Sequence, residues 1–277
     1  MNEQPSVLAI ILNYNTYEMT LKIIDKLRNL NYSNLDILVV DNNSSNESVK
    51  ELKKNTNTGR FKLIVNDTNG GYAVGNNIGL RFAVEHGYKY SWILNNDLIF
   101  DDSNILNVLI TAAEADSKVA CVGPRITDLN GNRVCPYISR PNLWSLTFGM
   151  LKDKHERHKY IMKSGIVYRV YGCCMLLKNS NMTEINYLDE RTFLYCEEDI
   201  LAERLLKIGC YSYYCADTSV VHLESMTVNR EQGKKSLKKI KIVMSSMNIY
   251  LKEYLHYGIL ARKYCMFFRG VIMLLRG

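Results

Sequence analysis

Two groups of acidic residues and one histidine have the types and spacing to move a proton or hold a cation. The first is Asp97, which closes the run Asn95-Asn96-Asp97. A carboxylate that ends a strand and opens a polar turn can ligate Mg2+ or Mn2+, which then bridges phosphate oxygens. The second is Glu197-Glu198-Asp199, three carboxylates at the start of an expected helix, behind Phe193-Leu194-Tyr195. The helix dipole favours an ionised carboxylate there, as a general base requires. His222 ends an expected strand and is a candidate ligand or phosphate contact. Asp41 ends another, where a carboxylate can accept from a base N–H or a ribose hydroxyl. Asn69-Gly70-Gly71-Tyr72-Ala73-Val74-Gly75-Asn76-Asn77 opens a helix. Its glycines permit close backbone approach, and the helix N-terminus favours anions. The run matches neither G-x-G-x-x-G nor the P-loop pattern, which argues against a nicotinamide cofactor and a Walker-type site. Each feature also has an ordinary reading: a turn aspartate, charge at a helix start, a structural histidine.

The elements that must position these groups alternate. Continuous apolar runs at 7–12, 36–41, 61–65, 90–94 and 119–122 suit strands buried on both faces. Between them, residues 18–30, 73–85 and 104–115 carry apolar side chains at helical spacing, and Ser44 or Ser45 is placed to cap a further helix. Alternation at this spacing predicts a parallel sheet with right-handed crossovers. Such sheets bind ligands at the carboxyl ends of their strands. Asn13-Tyr14-Asn15, Asp41-Asn42-Asn43 and Asn95-Asn96-Asp97 all fall at those ends. Farther on, 167–177, 211–215 and 219–222 read as strands, and 197–208 as a helix.

Composition sets the limits. The chain has 277 residues, 47% of them hydrophobic, enough for one large α/β domain with an appendage. No signal segment and no transmembrane run is expected. The eight cysteines lack metal-ligand spacing and read as reduced, buried thiols. Residues 230–277 hold eleven Lys/Arg against Glu231 and Glu253, a net of +9, while the remainder is near neutral at −2. That tail is amphipathic, with Ile240, Val243, Met244, Met247, Leu251, Tyr254 and Leu255 at helical spacing between lysines. It suits an anionic membrane surface, or packing on the domain, or a homodimer interface. No nucleic-acid motif accompanies the charge.

Taken in order, these motifs resemble family 2 glycosyltransferases of the GT-A fold, closest to the rhamnosyltransferase-like branch of bacterial surface-polysaccharide synthesis. The resemblance rests on 11–15, 39–44, 69–79, 94–97, Gly172-Cys173-Cys174-Met175-Leu176, 195–199, and His222 with Ser225. It implies a nucleotide-binding, Rossmann-like half (1–124) fused to an acceptor half (125–229) around a mostly parallel sheet, then a basic helical tail (230–277). It implies an inverting transfer from a nucleotide-sugar, dTDP-rhamnose or a UDP-sugar, to a saccharide acceptor, usually lipid-linked. The enzyme is then expected in the cytoplasm, on the inner face of the membrane. The resemblance places Asn13, Asn15, Asp41, Asn43, Asn69, Gly70, Gly71, Asn76, Asn96 and Asp97 at the donor. Gly172, Cys173 and Glu197 go to the acceptor, and Asp97 and His222 to Mg2+ or Mn2+. Asn95 stands where stricter members have Asp. The base is Glu198, counting back six residues from Arg204, or Asp199 if the register shifts by one. A sugar nucleotidyltransferase is the rival enzyme, but it normally has a glycine-rich basic loop where this chain has Asn13-Tyr14-Asn15-Thr16. A non-catalytic saccharide-binding scaffold is the rival from another class.

Overall fold

The computed structural model describes residues 4–134, 136–151, 163–223 and 237–276. Strands β1 (Val7–Asn13), β2 (Leu35–Asp41), β3 (Lys62–Val65) and β4 (Tyr90–Leu94) alternate with helices α1 (Tyr17–Arg28), α2 (Ser48–Thr56) and α3 (Gly71–Glu85). They pair in parallel in the order β3-β2-β1-β4. The chain continues through β5 (Leu98–Ile99), α4 (Ile105–Glu114), β6 (Val119–Thr127), β7 (Arg133–Val134) and the short α5 (Leu143–Leu146). Then come β8 (Gly165–Val167), β9 (Cys174–Lys178), α6 (Asn179–Glu184), α7 (Glu197–Lys207), β10 (Tyr211–His222), α8 (Leu237–Ile249) and α9 (Ile259–Arg276).

Strand β1 shows why the apolar runs are continuous. Val7, Ala9 and Ile11 pack under α1 and α4, against Ile23, Ile24, Leu27 and Leu109. Leu8 and Ile10 face the other way, toward Ala73, Leu80 and Ala83 of α3 and Leu201 and Leu205 of α7. With helices on both faces, a strand has no face left for polar side chains. Helix α3 sits close to β1 because Gly79 lacks a side chain. A Cβ there would lie 2.5 Å from Ile10 Cγ2.

The parallel order stops at β4. Strand β9 runs antiparallel between β4 and β6, and β10 lies parallel to β6. The expected fifth strand therefore forms, as the start of β6, but is not the neighbour of β4. The expected strand 167–177 is two strands, β8 and β9, with Gly172 and Cys173 in the loop between them. Conversely, 211–215 and 219–222 are one strand, β10, whose register against β6 shifts between Cys215 and Ser219. Its end pairs with β5, setting His222 opposite Leu98 and so beside Asp97. Helix α2 begins at Ser48, and its start takes no side-chain cap. Ser44 is used elsewhere, as shown below.

The tail is two helices, α8 and α9, joined through a π-helical turn (Tyr250–Tyr254). Val243, Met247, Tyr250 and Leu251 are buried. Met247, Tyr250 and Leu251 pack with Cys196 and Ile200 at the start of α7. The apolar face that the sequence offered to a lipid surface, to the domain or to a second copy is thus turned onto the domain. Its register was right and its partner is the domain itself. Seven cysteines are free and buried. Cys135, Ser225 and the first residues of the expected tail, 230–236, lie outside the described residues.

Candidate active site

The loop after β4 carries the candidate cation ligand. Asp97 is 6% exposed, and its Oδ1 makes no hydrogen bond. His222 Nε2 lies 3.1 Å from that oxygen, off the hydrogen-bond direction. A buried carboxylate oxygen without a donor is costly. A carboxylate and an imidazole at ion-pair distance have the chemistry of a divalent-cation donor pair. Among the described residues no three His, Cys, Asp or Glu gather as a metal cage. A cation here therefore takes two protein ligands at most from this set and completes its shell with phosphate oxygens and water, as Mg2+ sites commonly do. The residues fit the implied metal on those terms.

The first turns of α3 and α7 converge on the peptide of Gly172. Tyr72 Oη donates to the Gly172 carbonyl at 2.5 Å, and the Gly172 N–H donates to Glu198 Oε1 at 3.0 Å. A Cβ at Gly172 would sit 2.9 Å from that same oxygen, so only glycine lets the carboxylate approach. Next door, the Asn95 N–H donates to the Cys173 carbonyl at 2.8 Å, tying the Asp97 loop to the same segment. Burial first, then Cys174, then the charges of Asp97 and Glu198, push the Cys173 thiol well above its usual range. Asp97 and Glu198 thus both act on Cys173. At the start of α3, Gly71 has φ +85° and its missing Cβ would fall 2.1 Å from the Phe193 carbonyl, which accepts from the Tyr72 N–H.

The three acids of α7 have different surroundings. Glu197 is 5% exposed, and its Oε1 lacks a partner. Burial, reinforced by the charge of Glu198, pushes its carboxyl up to about 8. Asp199 Oδ1 lies 2.7 Å from Arg169 Nε in an ion pair. Burial still raises its carboxyl above the usual range, against the opposing pull of Arg169. Arg169 itself is stacked 3.9 Å from the Tyr137 ring centre and 5.4 Å from that of Tyr171. Glu198, part-buried like Asp199, is bonded to the Gly172 backbone N–H, whereas Asp199 faces Arg169. Two left-handed residues, Tyr195 (φ +74°) and Cys196 (φ +67°), turn the chain into α7. Such conformations persist where the surroundings over-determine them. Here the Ser246 hydroxyl bonds the Leu194 carbonyl at 2.8 Å, and Cys196 is locked into the tail cluster.

Glu197 gives a measurable signature. Unfolded, it ionises in the ordinary carboxylate range; folded, it holds its proton to about pH 8. Between those values the unfolded chain binds fewer protons, so this group makes stability fall as pH rises, and its effect levels off above the folded value. Glu197→Gln is expected to remove that slope. The variant should be more stable than wild type at pH 8 by on the order of a few kcal/mol, with the gap closing toward pH 4–5. Denaturant melts across that range measure it, and parallel curves would sink the idea.

The expected donor residues divide in two. Asn13, Asp41 and Asn76 have no exposed surface. Asn13 Nδ2 donates to Asp41 Oδ2 at 2.6 Å, and Ser44 gives its N–H to Oδ1 at 2.8 Å and its hydroxyl to Oδ2 at 2.7 Å. Thr20 Oγ1 donates to Asn13 Oδ1, and Asn96 Nδ2 donates to Thr16 and Thr20. A polar chain therefore runs from Asp41 to Asn96 beneath the strand ends. As placed, Asp41 organises its turn, and a base N–H reaches it only if Ser44 gives way. Asn15 (φ +58°) and Asn43 (φ +62°) stand at the rim in left-handed turns, with Asn15 Oδ1 accepting from the Ser45 N–H. Asn69 Oδ1 accepts from Gly71 N and Asn42 Nδ2, shaping the turn at Gly70. Asn76 Nδ2 bonds the Tyr72 carbonyl, holding the first turn of α3.

Sequence reasoning gave no site role of their own to Thr16, Thr20, Asn42, Ser44, Tyr72 and Arg169. Two had a visible signal. Thr20 lies four residues from Thr16 on the apolar side of α1, and Arg169 is a lone charge inside an apolar stretch. Arg204, used only to count register, grips the carbonyls of Ile185, Asn186 and Tyr187 behind α7.

The chain resembles several known proteins in sequence and in fold. The hexosyltransferase Agl10 of low-salt glycan biosynthesis in Haloferax volcanii is 23% identical over 222 residues, 80% of this chain and 68% of that protein. The N-acetylglucosaminyl-diphospho-decaprenol L-rhamnosyltransferase of Mycobacterium tuberculosis is 25% identical over 154 residues, half of this chain. The match spans about half the length of that relative, 49%. Two solved structures share the fold at 14% identity. One is the mannosyltransferase PcManGT from Pyrobaculum calidifontis with GDP-Man and Mn2+, at a TM-score of 0.62 over 97% of this chain and 70% of that one. The other is GalNAc-T7 with UDP, GalNAc and Mn2+, at 0.63 over 95% and 54%. Both are glycosyltransferases, and their likeness bears out the GT-A architecture. The family model described as Glycosyl transferase family 2 matches residues 8–183, more than half of the chain, and the protein belongs to that family.

Proposed function

We propose that this glycosyltransferase moves a sugar from a pyrimidine nucleotide donor to a saccharide hydroxyl with inversion at the anomeric carbon, using Glu198 as base. The observation that carries the reading is the clasp on Gly172 and Cys173. One side holds Glu198 and the other, through Asn95, holds the Asp97 loop. The proton acceptor and the phosphate-facing carboxylate therefore share one edge of the sheet.

The Glu198 carboxylate takes the proton from the acceptor hydroxyl. The oxygen attacks the anomeric carbon from the face opposite the diphosphate, and the bond from that carbon to the diphosphate oxygen breaks. No covalent intermediate forms, so no nucleophile is needed beside Glu198. Asp97 and His222 would hold Mg2+ or Mn2+, which when bound offsets charge on the leaving diphosphate. Asn15, Asn43, Asn69 and Gly70 border the donor, with Asn13, Asp41, Asn76, Asn96 and Gly71 supporting them from beneath. Gly172, Cys173 and the neutral carboxyl of Glu197 border the acceptor. The donor in this reading is dTDP-rhamnose or a UDP-sugar, and the acceptor is lipid-linked at the inner face of the membrane; the mycobacterial relative, whose name states a rhamnosyl transfer and a decaprenol-linked saccharide, supports the rhamnosyl donor and the lipid-linked acceptor.

A thermal-shift panel of nucleoside diphosphates and nucleotide-sugars, with and without Mn2+, tests this. A pyrimidine diphosphate should raise the melting temperature only with the metal, by mass action. Stabilisation by purine diphosphates instead would overturn the donor class.

A further inference from the structure

Helix α9 turns an apolar stripe to solvent. Leu260, Tyr264, Phe267, Val271, Leu274 and Leu275 are exposed, Phe267 by 67% and Leu275 by 77%, while Cys265 and Ile272 on the other side are buried. Spacings of three and four residues put the six on one side of the helix, over about 22 Å of its length. The patch continues beyond the helix. Trp144 is exposed, its ring lies 4.9 Å from Phe148, and Phe148 lies 4.9 Å from Phe268. Contiguous apolar surface of this kind marks an interaction site. No helix among the described residues is long and apolar enough to cross a membrane.

Charge selects the occupant. Residues 237–276 hold eight Lys/Arg and one acid, Glu253, a net of +7. Lys263 is exposed on the stripe itself, and Lys238 and Lys241 are exposed on α8, which packs against α9. A second copy docked through this face would set +7 against +7. An anionic lipid surface satisfies both parts, taking the apolar stripe below its headgroups and the cations among them.

We propose that the outer face of α9 lies flat on an anionic bilayer. The inference does not depend on the acceptor being lipid-linked. Its consequence for the site follows from packing. Cys265 of α9 shares a buried cluster with Cys196 and Ile200 at the start of α7, so docking sets the height of Glu198 above the lipid.

Co-sedimentation of the full chain with vesicles tests it, using phosphatidylcholine alone or mixed with phosphatidylglycerol. The protein should pellet with the mixed vesicles and be released by salt. Phe267→Glu with Leu274→Glu should lower the partition coefficient about tenfold or more. Both side chains are exposed, so an unchanged melting temperature should accompany the loss. Lys238→Glu with Lys241→Glu should weaken binding to mixed vesicles independently. Wild type that stays in the supernatant with both vesicle types overturns the proposal. So does pelleting that the Phe267/Leu274 variant leaves unchanged, or a dimer that this variant abolishes while neither protein binds vesicles.

Discussion

Glu198→Gln is expected to slow sugar transfer by about 10²–10⁴-fold while leaving donor binding intact. The geometry makes this substitution clean. Glutamine keeps an oxygen that can accept from the Gly172 N–H, so the bond that fixes the side chain survives. The approach to Gly172 is also unchanged in size. What is lost is the capacity to hold a proton from the acceptor hydroxyl. Asp199→Asn should behave differently. Its carboxylate faces Arg169, not the Gly172 segment, and removing the charge leaves the mostly buried Arg169 guanidinium, 11% exposed, without this counter-ion. The cost there is expected in stability, about 3–5 kcal/mol for breaking a buried pair, with a smaller effect on rate per folded molecule. Single-turnover rates beside denaturant melts separate the two. If Asp199→Asn abolishes transfer in a fully folded protein while Glu198→Gln turns over normally, the base is Asp199 and the assignment is wrong.

That choice illustrates what the sequence could carry. It put the three acids at the start of a helix, and they open α7 as expected. It could not rank them, because the ranking depends on Arg169 and Gly172, some thirty residues earlier in the chain. Local patterns were legible where one element makes its own case. The parallel strands β1 to β4 and their helices follow from apolar periodicity alone. The insertion of β9 between β4 and β6 is a non-local choice, and nothing in residues 174–178 announces an antiparallel neighbour. The tail shows the same limit. Its apolar spacing was readable, yet Val243 and Met247 fit a protein groove as well as a lipid surface, and only the fold decided. At the carboxyl ends of β1 and β2, the positions of Asn13 and Asp41 were legible, but their mutual bond was not, since it joins two strands across twenty-eight residues.

Asp97→Asn should abolish metal-dependent stabilisation by the donor nucleotide while leaving the unliganded protein as stable as wild type, or more so. The two halves of this expectation have one cause. The buried Oδ1 of Asp97 has no hydrogen bond, and His222 Nε2 stands 3.1 Å away without making one. A carboxylate kept in that state costs folding free energy, and an amide of the same shape carries no charge to desolvate. On the proposed function, that charge is what a cation and diphosphate need. Wild type with Mn2+ and pyrimidine diphosphate at a hundredfold excess over its Kd should gain about 2.7 kcal/mol by linkage. At ~2–4 °C per kcal/mol for a domain near this size, that is a clear thermal shift. The variant should show almost none of it, and chelation of the metal should bring wild type down to the same curve. His222→Ala should lose part of the shift, since it removes one of two ligands. A purely structural Asp97 predicts the opposite pattern: an unliganded variant that melts earlier and still responds to nucleotide and metal.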